Sequence, residues 1–145
     1  MSPAGDGGMM IVTAKLDFSA AHRLHNPDRD AEWNRRVYDK CDNPGGHGHN
    51  YIIEVSVEGE IDPETGMVID LKHLKDIMRE RVVHRVDHKN LNSDVDFLRG
   101  IIPTAENLAR AFWRELEGAI PHGRLSRIIL HETERNSVTY GGEPR

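Results

Sequence analysis

The chain has 145 residues, a formal net charge of −5 at pH 7, nine histidines and one cysteine. Its length suits one domain with its own core. The interspersed acids and bases leave no basic footprint for nucleic acid, and no apolar run nears the roughly 20 residues a membrane-spanning helix needs. A lone cysteine excludes an internal disulfide and fits a reducing cytoplasm; with no footprint for nucleic acid, a small molecule is the expected partner. The opening "MSPAGDGGMM" lacks the basic and apolar regions of a secretory signal. Residues 1–10 are expected to form a flexible tail ahead of a single domain over 11–145.

In "IVTAKLDFSAAHRL" (11–24) apolar and polar residues alternate, which predicts a strand with Leu16, Phe18, Ala20 and His22 on one face. The polar, turn-rich stretch 25–46 is too long for a hairpin loop, and loops of that length tend to be functional or disordered. "HGHNYIIEVSVEGEI" (47–61) alternates again, with His47, His49, Tyr51, Ile53, Val55 and Val57 sharing a face. "DPETG" reads as a turn and "MVID" (67–70) as a returning strand. Asp70 then caps a helix over 71–86 whose stripe is Leu71, Leu74, Met78 and Val82. Thr104 caps a second helix over 103–120, with Ala105, Leu108, Phe112 and Leu116 inward. Strands follow over 124–134 and 136–142. The order β-β-β-α-α-β-β with short connections predicts an α+β fold: a small antiparallel sheet with two helices on one face.

Chemistry gathers where the inward faces of the first two strands end. Phe18 and Ala20 lead to His22, and Val55, Ile53 and Tyr51 lead back to His49 and His47. Pairing of these strands brings three imidazoles to one edge of the core, the donor set of a catalytic zinc that keeps one position open. Imidazoles also accept iron, nickel or copper, so spacing predicts a metal more firmly than its identity.

Cys41 stands just before the bendable "DNPGG", in polar company that argues against burial; a thiol acts at neutral pH when a nearby cation or histidine favours its thiolate. Asp87 and His88 adjoin in a polar loop and can cooperate only if the backbone turns there. Glu132 shares the parity of Ile128 and Leu130, so a carboxylate stands where the pattern expects an apolar side chain, marking it as a ligand anchor. Glu106, in the first turn of the second helix, is explained by the helix dipole. His25, His73, His84 and His122 read as surface residues, and Trp33 and Trp113 as packing residues.

Six ordered motifs, "FSAAHRL", "KCDNPGGHGHNY", "DPETGMVIDL", "DHKNLN", "PTAENLA" and "HETERNSVTY", together resemble the 6-pyruvoyl-tetrahydropterin synthase family and its relative 6-carboxytetrahydropterin synthase of queuosine and deazapurine biosynthesis. The resemblance runs from about Phe18 to Tyr140. It implies zinc on His22, His47 and His49, a catalytic Cys41, a catalytic Asp87–His88 pair, a pterin-anchoring Glu132, and a pterin pocket that Glu106 and Thr104 also line. It further implies trimers whose sheets close into a barrel, usually paired into hexamers, with active sites between subunits. The implied substrate is 7,8-dihydroneopterin triphosphate, converted to 6-pyruvoyl-tetrahydropterin with loss of triphosphate. The carboxy-forming relative starts from the same substrate and cleaves the side chain, and the five-residue gap between Cys41 and His47 looks more like the pyruvoyl-forming branch.

Two other classes fit parts of the pattern. A cupin would use "HGHNYIIE" with Glu54 as a further ligand, but Glu54 lies an odd number of positions from His49 and faces away, and two helices do not suit an all-β barrel. A non-catalytic pterin-binding protein would need the histidines and Glu132 but not Cys41.

Overall fold

The computed structural model describes residues 8–144, so most of the expected tail lies outside the described residues; Met10, placed in that tail from sequence, opens the first strand. In chain order the elements are β1 (Met10–His22), α1 (Ala31–Tyr38), a 3-10 turn (Asp39–Asp42), β2 (His47–Gly59), α2 (Leu71–Met78), a wider i→i+5 turn (Arg79–Val83), α3 (His84–Val86), β3 (Lys89–Asn90), a 3-10 turn (Asp96–Leu98), α4 (Ala105–Glu117), β4 (Arg124–His131) and β5 (Ser137–Tyr140).

The sheet order is β3-β1-β2-β4-β5. The β1/β2, β2/β4 and β4/β5 pairs are antiparallel, whereas β3 adds a two-residue parallel pairing to β1 at Ala20 and Ala21, so the sheet is mixed rather than wholly antiparallel. The β1/β2 ladder aligns Phe18 with Tyr51, Ala20 with His49 and His22 with His47. Cross-strand partners share a face, so the parity argument delivers all three imidazoles to the inner face. That face packs against both long helices. Leu74, Met78 and Val82 from the α2–α3 run and Leu108, Phe112 and Leu116 from α4 join Tyr51, Ile53, Val55 and Ile128 in one buried core. Phe18 ties the layers together, stacked on Tyr51 at 4.8 Å between ring centroids and meeting Phe112 edge-on at 6.0 Å.

Two expectations are corrected, and one stretch carries structure that the sequence did not predict. "MVID" is not a strand: Asp62 donates its N–H to the Met67 carbonyl, closing a turn, and the chain beyond it buries Val68 and Ile69 without joining the sheet. Leu71, assigned to the helical stripe, is 41% exposed at the helix start. The 25–46 stretch is largely ordered into α1 and a 3-10 turn. The only side chain α1 buries is Asn34, whose amide donates to the carbonyls of Asn26, Arg29 and Asp30 and whose oxygen accepts the Asn26 N–H.

Candidate metal centre and active site

His22, at the end of β1, is almost completely buried, and His47 and His49 begin β2 opposite it. Each offers a ring nitrogen to a common point, and these atoms all lie within 4.8 Å of one another. The His22 and His47 Nε2 atoms are 3.0 Å apart, near the roughly 3.3 Å implied by two Zn–N bonds of about 2.0–2.1 Å at a tetrahedral ion. The three rings stand close to perpendicular, with centroids 4.6–5.1 Å apart. Tyr51 lies beneath them, and burial followed by the Glu132 charge pushes its phenol well above its ordinary pKa, so it remains protonated.

Two features fit this group to a metal. His22 Nδ1 lies 2.8 Å from the Pro103 carbonyl, just before α4; donating there, it leaves Nε2 as the lone-pair atom, the arrangement that orients metal-bound histidines. His49 Nε2 is buried and has no hydrogen-bond partner among the described residues. Desolvation lowers the pKa of both His22 and His49, favouring the neutral, ligating form. The Gly46 turn makes the fit close: its φ is +74°, and a Cβ there would come within 3.1 Å of the His22 carbonyl oxygen.

Glu132 lies one residue beyond β4, and its Oε1 sits 3.9 Å from His49 Nε2. That is too long for a hydrogen bond, yet the carboxylate faces the histidine end of the core with its side chain only 25% exposed. Glu54 points the other way, paired with His131 and 3.9 Å from Lys15, which removes it from the imidazole group.

Asp87 and His88 follow α3, and His88 has the backbone turn the pair requires, with φ of +61°. Asp87 Oδ1 accepts the Ser19 N–H at 2.9 Å and lies 3.0 Å from His88 Nδ1. The Ser19 N–H, then the neighbouring histidine, hold the Asp87 carboxyl below the usual range. His88 donates its own N–H to the Ser19 carbonyl at 2.6 Å, fixing the loop against β1. Its side chain is 82% exposed. It borders an open cleft of about 430 Å³, lined also by Ser19, Gly48, His49 and Asn50.

Cys41 is half-buried on the 3-10 turn, with its carbonyl accepting the Leu24 N–H, and does not belong to the imidazole group. Thr104 caps α4 by accepting the Asn107 N–H, as read from sequence, and Glu106 is exposed in the first helical turn. His73, His84 and His122 are exposed, but His25 is not a plain surface residue: its Nδ1 lies 2.7 Å from Asp42 Oδ1. Sequence reasoning could not find Pro103 or Ser19, because both act through backbone atoms.

Comparison with known proteins shows the family to which the chain belongs. The family model described as 6-pyruvoyl tetrahydropterin synthase matches residues 11–143. The 6-pyruvoyl tetrahydrobiopterin synthase of Homo sapiens is 44% identical over 132 residues, 91% of each chain. That of Poecilia reticulata is 46% identical over 132 residues, 91% of this chain and 90% of its own. The solved 6-pyruvoyl tetrahydropterin synthase of Caenorhabditis elegans superposes with a TM-score of 0.89 at 38% identity, covering 94% of this chain and 97% of its own. The chain belongs to the 6-pyruvoyl tetrahydropterin synthase family.

Proposed function

We propose that the protein is a zinc-dependent lyase that converts 7,8-dihydroneopterin triphosphate to 6-pyruvoyl-tetrahydropterin with elimination of triphosphate, working as a single domain of residues 11–145 in the cytoplasm. The observation that carries the reading is the convergence of His22, His47 and His49, with the buried His49 Nε2 unpartnered among the described residues, in a chain of this family. Zinc on these three nitrogens would supply Lewis-acid polarisation of the substrate's side-chain oxygens.

The remaining work falls to this chain's own groups. Glu132 accepts two hydrogen bonds from the amidine-like edge of the pterin, a bidentate contact that accounts for a carboxylate beside the core. Thr104 and Glu106, at the start of α4, border the same pterin pocket. Cys41, as thiolate, removes a side-chain proton. His88, held at Nδ1 by Asp87, returns a proton through Nε2 elsewhere in the redox tautomerisation. The depressed Asp87 carboxyl suits this role, since it stays ionised and fixes one tautomer of His88. Triphosphate departs by elimination, and the hydrogens gained by the ring come from the side chain, so no external reductant is required.

The location of Cys41 outside the imidazole group supports a site completed between subunits of a trimer or hexamer. No helix among the described residues is long and apolar enough to cross a membrane. Incubating the zinc-loaded protein with 7,8-dihydroneopterin triphosphate and identifying products by mass tests the proposal. Equal amounts of 6-pyruvoyl-tetrahydropterin and triphosphate support it. A 6-carboxy product points to the deazapurine branch, and no turnover at full metal occupancy removes the enzymatic reading.

A further inference from the structure

The turn that carries Cys41 has no apolar anchor. None of its residues is buried, and the preceding α1 buries only Asn34. α1 also ends in a costly conformation, with Asp39 at a φ of +52°, so something must hold the turn in place. Besides the backbone bonds of Asp39 to Arg35 and of Asn43 to Lys40, the groups that hold it are polar and come from the segment directly after His22. Leu24 donates its N–H to the Cys41 carbonyl at 2.8 Å. Arg23 donates Nε–H to the Asp42 carbonyl at 2.8 Å, and its guanidinium lies 3.1 Å from Asp42 Oδ1. The same Oδ1 meets His25 Nδ1 at 2.7 Å. Asp42 is the most shielded of the three side chains, 14% exposed against 31% for Arg23 and 28% for His25. Arg23 is itself fixed through its backbone, which exchanges hydrogen bonds of 2.7 and 2.8 Å with the Asn92 side chain in the loop beyond His88.

We propose that Asp42, gripped by Arg23 and His25, is the positioning residue for Cys41, coupling the cysteine turn to the His22 end of β1 and to the loop beyond His88. This rests on the reading of Cys41 as the proton-abstracting group. A charge-assisted, two-donor grip on a mostly shielded carboxylate is strong enough to fix a turn that hydrophobic packing leaves free. Asp42 does not itself touch the reacting atoms. It acts through the backbone of the adjacent Cys41.

The test uses the full-length, zinc-loaded protein with Asp42→Ala and Asp42→Asn. Because Cys41 is the only cysteine, alkylation by iodoacetamide followed by mass reports its freedom without reference to turnover. In Asp42→Ala we expect unchanged zinc content, a KM within about twofold, and a kcat reduced about tenfold to a hundredfold by misplacement of the base. Alkylation should be about threefold faster or more as the turn opens locally. Asp42→Asn should recover most of the kcat, because its amide oxygen still accepts from the same donors. Wild-type kcat and wild-type alkylation in Asp42→Ala overturn the proposal, as does an equal loss in Asp42→Asn. If Asp42→Ala does not fold, His25→Ala, which removes one of the two donors, decides by the same readouts: a shift in the same direction supports the grip, and no shift overturns it. Should the unaltered protein show no turnover, the activity reading fails by itself, and the alkylation rates still decide whether Asp42 positions Cys41.

Discussion

Metal binding should appear first as stability. Without an ion, His22 Nδ1 donates to the Pro103 carbonyl, so a neutral His22 presents a bare Nε2 that can pair only with a proton on His47. His49 Nε2 then has nothing, and a buried unpaired polar atom costs about 1–3 kcal/mol. Zinc at about a hundredfold above its Kd adds about 2.7 kcal/mol by mass action. At about 2–4 °C per kcal/mol for a chain of this size, Tm should rise by about 5–10 °C. The assay is thermal unfolding of chelator-treated protein with and without zinc, with magnesium as the control because that ion prefers oxygen ligands. His49→Ala removes both the unpaired atom and a ligand, so its zinc-free Tm should hold or rise while its zinc response collapses. An equal zinc shift in His49→Ala and the unaltered protein, or no shift in either, would refute the reasoning.

Three further outcomes follow from the geometry. Cys41→Ala should keep its zinc and lose at least about a hundredfold in kcat; surviving activity would dismiss the thiolate as base. Asp87→Asn should lower kcat through loss of the His88 tautomer and also flatten the acid limb of stability. The folded-state pKa of Asp87 is depressed, so its contribution is present above the unfolded value of about 3.9 and is lost as pH falls through the folded value. Urea unfolding at several pH values checks this, and an unchanged acid limb in Asp87→Asn would count against it. Phe18→Ala, which removes the ring between Tyr51 and Phe112, should cost about 3–5 kcal/mol in urea unfolding; a loss below about 1 kcal/mol would show that the layers do not depend on it.

The imidazole group was legible because strand parity is a strict geometric rule: once β1 and β2 pair in the register that matches their apolar faces, His22, His47 and His49 share a face. Asp70 and Thr104 were readable as helix caps for a similar reason, since capping is local. What escaped was polar organisation. α1 is built around the hydrogen-bonded Asn34 rather than an apolar stripe, so hydrophobic periodicity had nothing to detect, although Asp30 marks its start by accepting the Trp33 N–H. β3 is two residues long and leaves no alternation. In "MVID" the buried Val68 and Ile69 imitate a strand, but the backbone finds no ladder partner. The grip of Arg23 and His25 on Asp42 joins residues separated by a long loop, a pairing that spacing alone does not encode. Glu132 faces the core end for a partly different reason from its strand parity: β4 ends at His131, and the carboxylate faces His49 from the turn beyond.

The most direct test of the metal centre is a zinc-edge anomalous difference map from crystals of the zinc-loaded protein. One peak about 2.0–2.1 Å from a ring nitrogen of each of His22, His47 and His49 is the predicted result. Full zinc occupancy with the peak elsewhere, whether at Cys41 or between His25 and Asp42, would contradict it.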